Sequence, residues 1–144
     1  MNVVWVVLGI LGGMAVGTQA AVNASLGRSI GILETAFVSF LIGTIGLGVA
    51  VTTLGRGHLG AVMNVPWWQL LGGVLGGFYV FVIVTNVPRL GVATTITMII
   101  VGQMLMSLLI DHFGWFGVAR SPVTLSRAGA MALMAGALAL FFRH

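Results

Sequence analysis

Five stretches of about twenty residues, at about 3–22, 31–53, 67–87, 91–111 and 123–142, are apolar almost throughout. At 1.5 Å of rise per residue, a helix of roughly twenty residues crosses the ~30 Å hydrocarbon layer of a bilayer. Lipid gives the backbone no water to bond, so open sheet edges are excluded there and each span must satisfy its own N–H and C=O groups. β-branched residues are common enough that any one stretch alone could pass for a buried strand. Five consecutive lengths near twenty decide for helices. The sequence predicts an all-α, polytopic membrane protein whose residues 1–144 form a single domain of five transmembrane helices.

Composition agrees with that class. The chain is 59% hydrophobic and 6% charged, with a mean hydropathy of +1.16, which lies outside the range of soluble domains. Its 22 glycines suit helices that associate by close backbone approach. Cysteine is absent, which excludes a disulfide framework, a thiol nucleophile and a cysteine metal site. A net charge of +4 would point to nucleic acid in a soluble chain, but the arginines here are scattered and form no patch. There is no His-x-x-x-His pair, no glycine-rich phosphate loop and no convincing Ser-His-Asp set. His58, His112 and His144 fall in loops or at the end. The expectation is no enzyme, no cofactor and no metal, with the lipid bilayer as surroundings and no nucleic-acid partner.

The first span has no basic region before it and no clean cleavage site after it, so it reads as a retained helix. Gly9, Gly13 and Gly17 recur every four positions along it, and Gln19 and Asn23 share one side near its end. Residues 25–29 read as a short polar link. Glu34 follows in the first turn of the second span, where helix amides and dipole favour a carboxylate. Residues 54–65 form the longest loop, and Asn64 and Pro66 announce the third span. Trp67 and Trp68 open that span as interface residues, and Pro88-Arg89 reads as a tight turn closing it. Trp115 and Phe116 anchor the far side of the fourth span. Ser121-Pro122 reads as the cap and first-turn proline of the fifth.

Five spans put the two ends of the chain on opposite faces. One face then carries Arg56 and Arg120, with Arg127 able to snorkel back to it; the other carries Arg28, Arg89 and Arg143. Three against three gives the positive-inside rule almost nothing to act on. One explanation is a small chain with few charges. The other is insertion in both orientations, giving an antiparallel homodimer or pairing with an oppositely oriented relative. Five helices are few to enclose a solute path, and inverted repeats around a midplane site are a common transporter plan.

Polar groups inside such spans need a partner or a function. Gln103 lies roughly 18 Å along the fourth helix, near the midplane. Ser107 and Asp111 follow at i+4 steps on one face. A buried Gln or Ser more often satisfies a neighbouring helix or its own backbone than a solute. Asp111 sits at a helix C-terminus, the wrong end of the dipole for a carboxylate unless His112 or an arginine offsets this. A plain interfacial salt bridge with Arg120 is the simpler reading. In an antiparallel dimer, Glu34 of one copy would share a membrane face with Asp111 of the other, alongside Gln19 and Asn23. Tyr79, Trp67 and Trp68 could stack on a solute or serve only as interface residues.

The strings GTQAAVNASLGR (17–28), ETAFVSFLIGT (34–44), PRLGVATTIT (88–97) and above all VGQMLMSLLIDHFG (101–114) resemble the small five-helix YdcZ-type family of the drug/metabolite transporter superfamily. The resemblance covers essentially the whole chain. It implies a multi-pass protein of the bacterial inner membrane, with members found as single dual-topology genes, adjacent pairs and fused ten-helix forms. The family pattern falls on Gln19, Asn23, Ser39, Gln103, Asp111, His112 and Gly114. Related small multidrug resistance proteins use a glutamate in the middle of their first helix, where this chain has none.

The reading is a secondary transporter for a small organic solute, working by alternating access of an antiparallel dimer. Gln19, Asn23, Glu34, Gln103, Ser107 and Asp111 are its candidate binding or coupling residues. A passive small-solute channel and a structural membrane protein are the alternatives. Dual insertion has a direct test, because the chain has no cysteine and one introduced near the N-terminus is unique. Impermeant maleimide applied to sealed cells should label about half of the molecules; labelling of all or none means a single orientation.

Overall fold

The computed structural model describes residues 3–142. Arg143, counted above with one membrane face, and His144 lie outside them. The described residues contain helices and no strand. These are α1 (Val3–Ile30), α2 (Ile32–Leu54), α3 (Leu71–Leu90), α4 (Val92–Phe113) and α5 (Leu125–Phe141), with short 3₁₀ turns at Leu59–Asn64, Trp67–Leu70 and Trp115–Gly117. Counting Trp67–Leu70 with α3, four helical segments of 22 to 28 residues are long and apolar enough to cross a membrane; α5 has 17 residues. The chain divides into two compact units, Met1–Arg89 and Leu90–His144.

In the first unit α1 packs on α2. Its core is small: Ala20, Ala24, Val80, Ile83, Val84 and Val87, with Asn23 and Thr35 buried among the polar residues. The α3 side chain Val84 presses on Gly27 of α1, where a Cβ would collide with it. Phe40 of α2 lies over Gly76 of α3, leaving a Cβ there only 2.9 Å from the ring. In the second unit α4 packs on α5. Large apolar side chains are exposed along all five helices, Leu133 at 78% and Trp5 at 70% among them. In water such a surface would aggregate; in lipid it is the solvated face.

Three expected boundaries are corrected. Residues 25–29 are not a link, because α1 continues through them to Ile30. Its 28 residues span roughly 42 Å, more than the ~30 Å of hydrocarbon, so polar residues near its end do not require the helix to stop. Pro88-Arg89 is not a turn either, since both lie in the last turn of α3. Near a helix end a proline forfeits a single backbone bond. Finally, α5 is capped by Thr124, whose side chain accepts from the Arg127 N–H, and not by Ser121-Pro122.

Glycine makes the actual breaks. Gly31 (φ 101°, ψ 163°) separates α1 from α2, and Gly91 (φ 79°, ψ 165°) separates α3 from α4. This region of backbone space is essentially closed to residues with a Cβ. Each glycine carbonyl then accepts two bonds from a threonine four residues on. Thr35 donates its N–H at 3.1 Å and its hydroxyl at 2.7 Å to Gly31, and Thr95 donates at 3.2 and 2.8 Å to Gly91. Both threonines are fully buried. The same device thus starts two helices sixty residues apart.

The turn after α4 closes by a different route. Gly114 is left-handed (φ 69°) and donates its N–H to Ile110. The Ser121 N–H reaches the Asp111 carbonyl at 2.7 Å, and Arg120 Nε reaches the His112 carbonyl at 3.0 Å. Val123 N–H completes the fold-back on His112 Nδ1 at 3.3 Å. The carbonyls of Ile110, Asp111 and His112, which the helix end leaves orphaned, are each bonded here.

Space around Gly91 is open, so a methyl there would meet only backbone strain. Gly91→Ala is expected to cost about 1–3 kcal/mol, whereas Gly13→Ala, in an equally open helical position, should cost nothing. Thermal unfolding of the detergent-purified protein distinguishes the two; equal melting temperatures would contradict the assignment.

Candidate functional site

Hydroxyls in these helices follow a pattern. Thr18, Thr35, Thr85, Thr95 and Thr97 each donate to the carbonyl four residues back, at 2.7–2.9 Å. A hydroxyl that does so needs no other partner in lipid. Ser39 and Thr44 of α2 do not follow it. With Gln19 of α1 they line a cleft of about 170 Å³, closed by Phe40, Gly43 and Leu47. None of the three polar side chains makes a hydrogen bond to the described residues. The cleft therefore presents an amide and two hydroxyls, without charge, to whatever enters it.

Asn23 lies one turn beyond Gln19 but in a different setting. It is 4% exposed, packed in the core, and its Nδ2 has no acceptor among the described residues. An unpaired buried amide costs about 1–3 kcal/mol. The two residues that the i+4 spacing puts on one side are thus split between cleft and core. Glu34 is exposed in the first turn of α2. Its carboxylate folds back against Gly31 at the favourable end of the helix dipole, without bonding a capping amide.

A second cleft, of about 210 Å³, lies between α4 and α5 and is lined by Met104, Ser107, Leu108, Asp111, Arg127 and Ala130. Asp111 Oδ2 stands 3.6 Å from Arg127 Nη1, with both side chains more than a third exposed. Arg127 Nη1 also donates to the Ser121 carbonyl at 3.3 Å. The salt-bridge partner expected from sequence, Arg120, instead donates to the His112 backbone. The Thr124 cap explains the exchange, because starting α5 there puts Arg127 in its first turn, facing α4. Gln103 is exposed and lines neither cleft; of the i+4 series on α4, Ser107 and Asp111 come together and Gln103 stands apart.

A third, larger groove of about 530 Å³ between α2 and α3 is wholly apolar, with Phe37, Phe40, Phe78 and Phe81 over Gly73 and Gly77. It offers no hydrogen-bonding chemistry. Among the described residues no three of His, Asp and Glu gather closely enough to hold a metal ion. Sequence reasoning missed Arg127 and Thr44 as site residues. For Arg127 the available signal was its opposite charge, one helix on from one of the chain's two acidic residues. For Thr44 there was none beyond its place in a polar-spotted helix.

Membrane-length apolar helices define a polytopic helical membrane protein, with unpartnered polar side chains gathered in its clefts. The chain belongs to the YdcZ family: the family model described as "Putative inner membrane exporter, YdcZ" matches residues 4–140. It is similar to inner membrane protein YdcZ of Escherichia coli (strain K12), with 32% identity over 109 residues, covering 74% of this chain and 72% of that protein. No solved structure matches. The chain is therefore a multi-pass inner membrane protein of a family described as inner membrane exporters.

Proposed function

We propose that the chain is a secondary transporter moving a small organic solute or metabolite outward, by alternating access in an antiparallel dimer. The observation that carries this reading is the α1–α2 cleft, where Gln19, Ser39 and Thr44 face an open volume with no internal partners. Polar groups without partners are expensive at membrane depth and mark solute paths. All five helices span the bilayer in this reading, as one domain. At 17 residues, α5 is at the lower limit for crossing, about 17–25 residues, and Val123 and Thr124 extend its reach. Balanced arginines support insertion in both orientations, and two opposed copies supply the inverted repeats that transporters commonly use.

Gln19 lines the path by hydrogen bonding, Gln103 joins it from the exposed face of α4 when the second copy is opposed, and Asn23 supplies a donor when its helix shifts. Glu34 and Asp111 handle a proton, a cation or a gate contact, at one membrane face when the copies are opposed. Ser107 shares the Asp111 cleft.

The test is uptake into proteoliposomes of a radiolabelled metabolite and cation panel, with and without a pH gradient. At least one solute should enter saturably. Gln19→Leu should lower its rate by about three- to ten-fold, the worth of one hydrogen bond. Asp111→Asn or Glu34→Gln should remove the response to the gradient; full pH-dependent uptake by both variants sinks their coupling role.

A further inference from the structure

We propose that the α4–α5 cleft binds a small zwitterion, an ammonium carboxylate with a compact apolar body, which inserts between Asp111 and Arg127. The inference deepens the transporter reading and rests on it, naming the substrate class for one of its clefts.

The charges stand where their own helices oppose them. Asp111 is in the last turn of α4, at the negative end of the helix dipole, which disfavours an anion. Arg127 is in the first turn of α5, whose free amides repel a cation. Exchanging the two residues would please both helices, so helix stability does not account for this placement. Nor is the pair a closed clip. At 3.6 Å it is longer than a charge-assisted hydrogen bond of about 2.7–2.9 Å. Only the Ser121 carbonyl holds Arg127 besides, at 3.3 Å, and the carboxylate of Asp111 has no other side-chain partner among the described residues. The nearby His112 and Arg120 are engaged in the turn: His112 accepts from Val123, and Arg120 donates to backbone.

The cleft selects by charge pattern. A cation drawn to Asp111 meets Arg127 beside it, and an anion drawn to Arg127 meets Asp111. A neutral solute gains little from either. A zwitterion satisfies both at once, its ammonium on the Asp111 carboxylate and its carboxylate on the Arg127 guanidinium, which replaces one long pair by two close ones. Desolvating two charges is repaid only when each finds a close opposite partner. The Ser107 hydroxyl, which makes no hydrogen bond to the described residues, is available to either end of the ligand. Met104, Leu108 and Ala130 complete the wall and match an apolar body. A volume of about 210 Å³ falls below the roughly 300 Å³ at which drug-sized sites begin, so the body is small.

The experiment is equilibrium dialysis of the purified full chain in lipid nanodiscs, with radiolabelled glycine, L-alanine and L-valine as probes and propionate and ethylamine as competitors. At least one amino acid should bind saturably, and propionate and ethylamine should compete at least about ten-fold more weakly, a step of 1.4 kcal/mol. Asp111→Asn and Arg127→Gln should each weaken binding by about ten-fold or more, and Arg127→Lys should restore part of it. Ala130→Leu fills the cleft while leaving both charges in place, and should abolish binding with little change in melting temperature. No saturable binding to monodisperse protein, competition by propionate or ethylamine equal to that of alanine, or unchanged binding in Ala130→Leu overturns the proposal. Binding as expected without vesicle uptake would fail the transporter reading alone; uptake of other solutes without this binding would fail the zwitterion site alone.

Discussion

Hydrocarbon solvates nothing polar, and that single constraint organises the molecule. A hydroxyl, an amide or a carbonyl inside the bilayer must be bonded within the protein or stand at a cost of about 1–3 kcal/mol. Most of the chain obeys. Its helical threonines return their hydroxyls to their own backbone, and the turn after α4 folds back so that three successive carbonyls, from Ile110 to His112, are each capped. Because compliance is so general, the departures are informative. Gln19, Ser39 and Thr44 face a cleft unpaired, and the Asn23 amide is buried without an acceptor.

Helix starts satisfy their backbone carbonyls in a related way. At Gly31 and Gly91 the chain turns through a conformation open only to glycine, and the carbonyl exposed by that turn is bonded twice by a buried threonine. These junctions place Glu34 beside Gly31 in the first unit and set the start of α4 in the second. From there α4 carries Ser107 and Asp111 to the cleft they share with α5.

Much of this architecture is legible in the sequence, because span length and apolarity are set by bilayer thickness and not by tertiary contacts. Four membrane-length helices stand where the apolar stretches predict them, and the fifth stretch is helical but shorter. Helix ends were harder to read. Ser25, Arg28 and Ser29 look like a loop because they are polar, yet the helix continues through them to Ile30. Partner choice was harder still. Arg120 is nearer to Asp111 in sequence, but which arginine faces the carboxylate depends on where α5 is capped, and Thr124 rather than Ser121 does that. Spacing placed Gln19 with Asn23, and Gln103 with Ser107 and Asp111. Neighbouring helices, absent from any single-helix argument, decide which member of each series reaches a cleft.

What joins these features is a chain that keeps polar groups open to a solute in two clefts, in a family described as inner membrane exporters. A carrier visits one side at a time and exchanges, whereas a channel does not. Counterflow measures that difference directly. Proteoliposomes loaded with an excess of unlabelled substrate and diluted into a trace of the same labelled solute should accumulate label transiently above equilibrium. Label that only equilibrates, at a rate indifferent to the internal solute, would contradict alternating access and indicate a continuous pore.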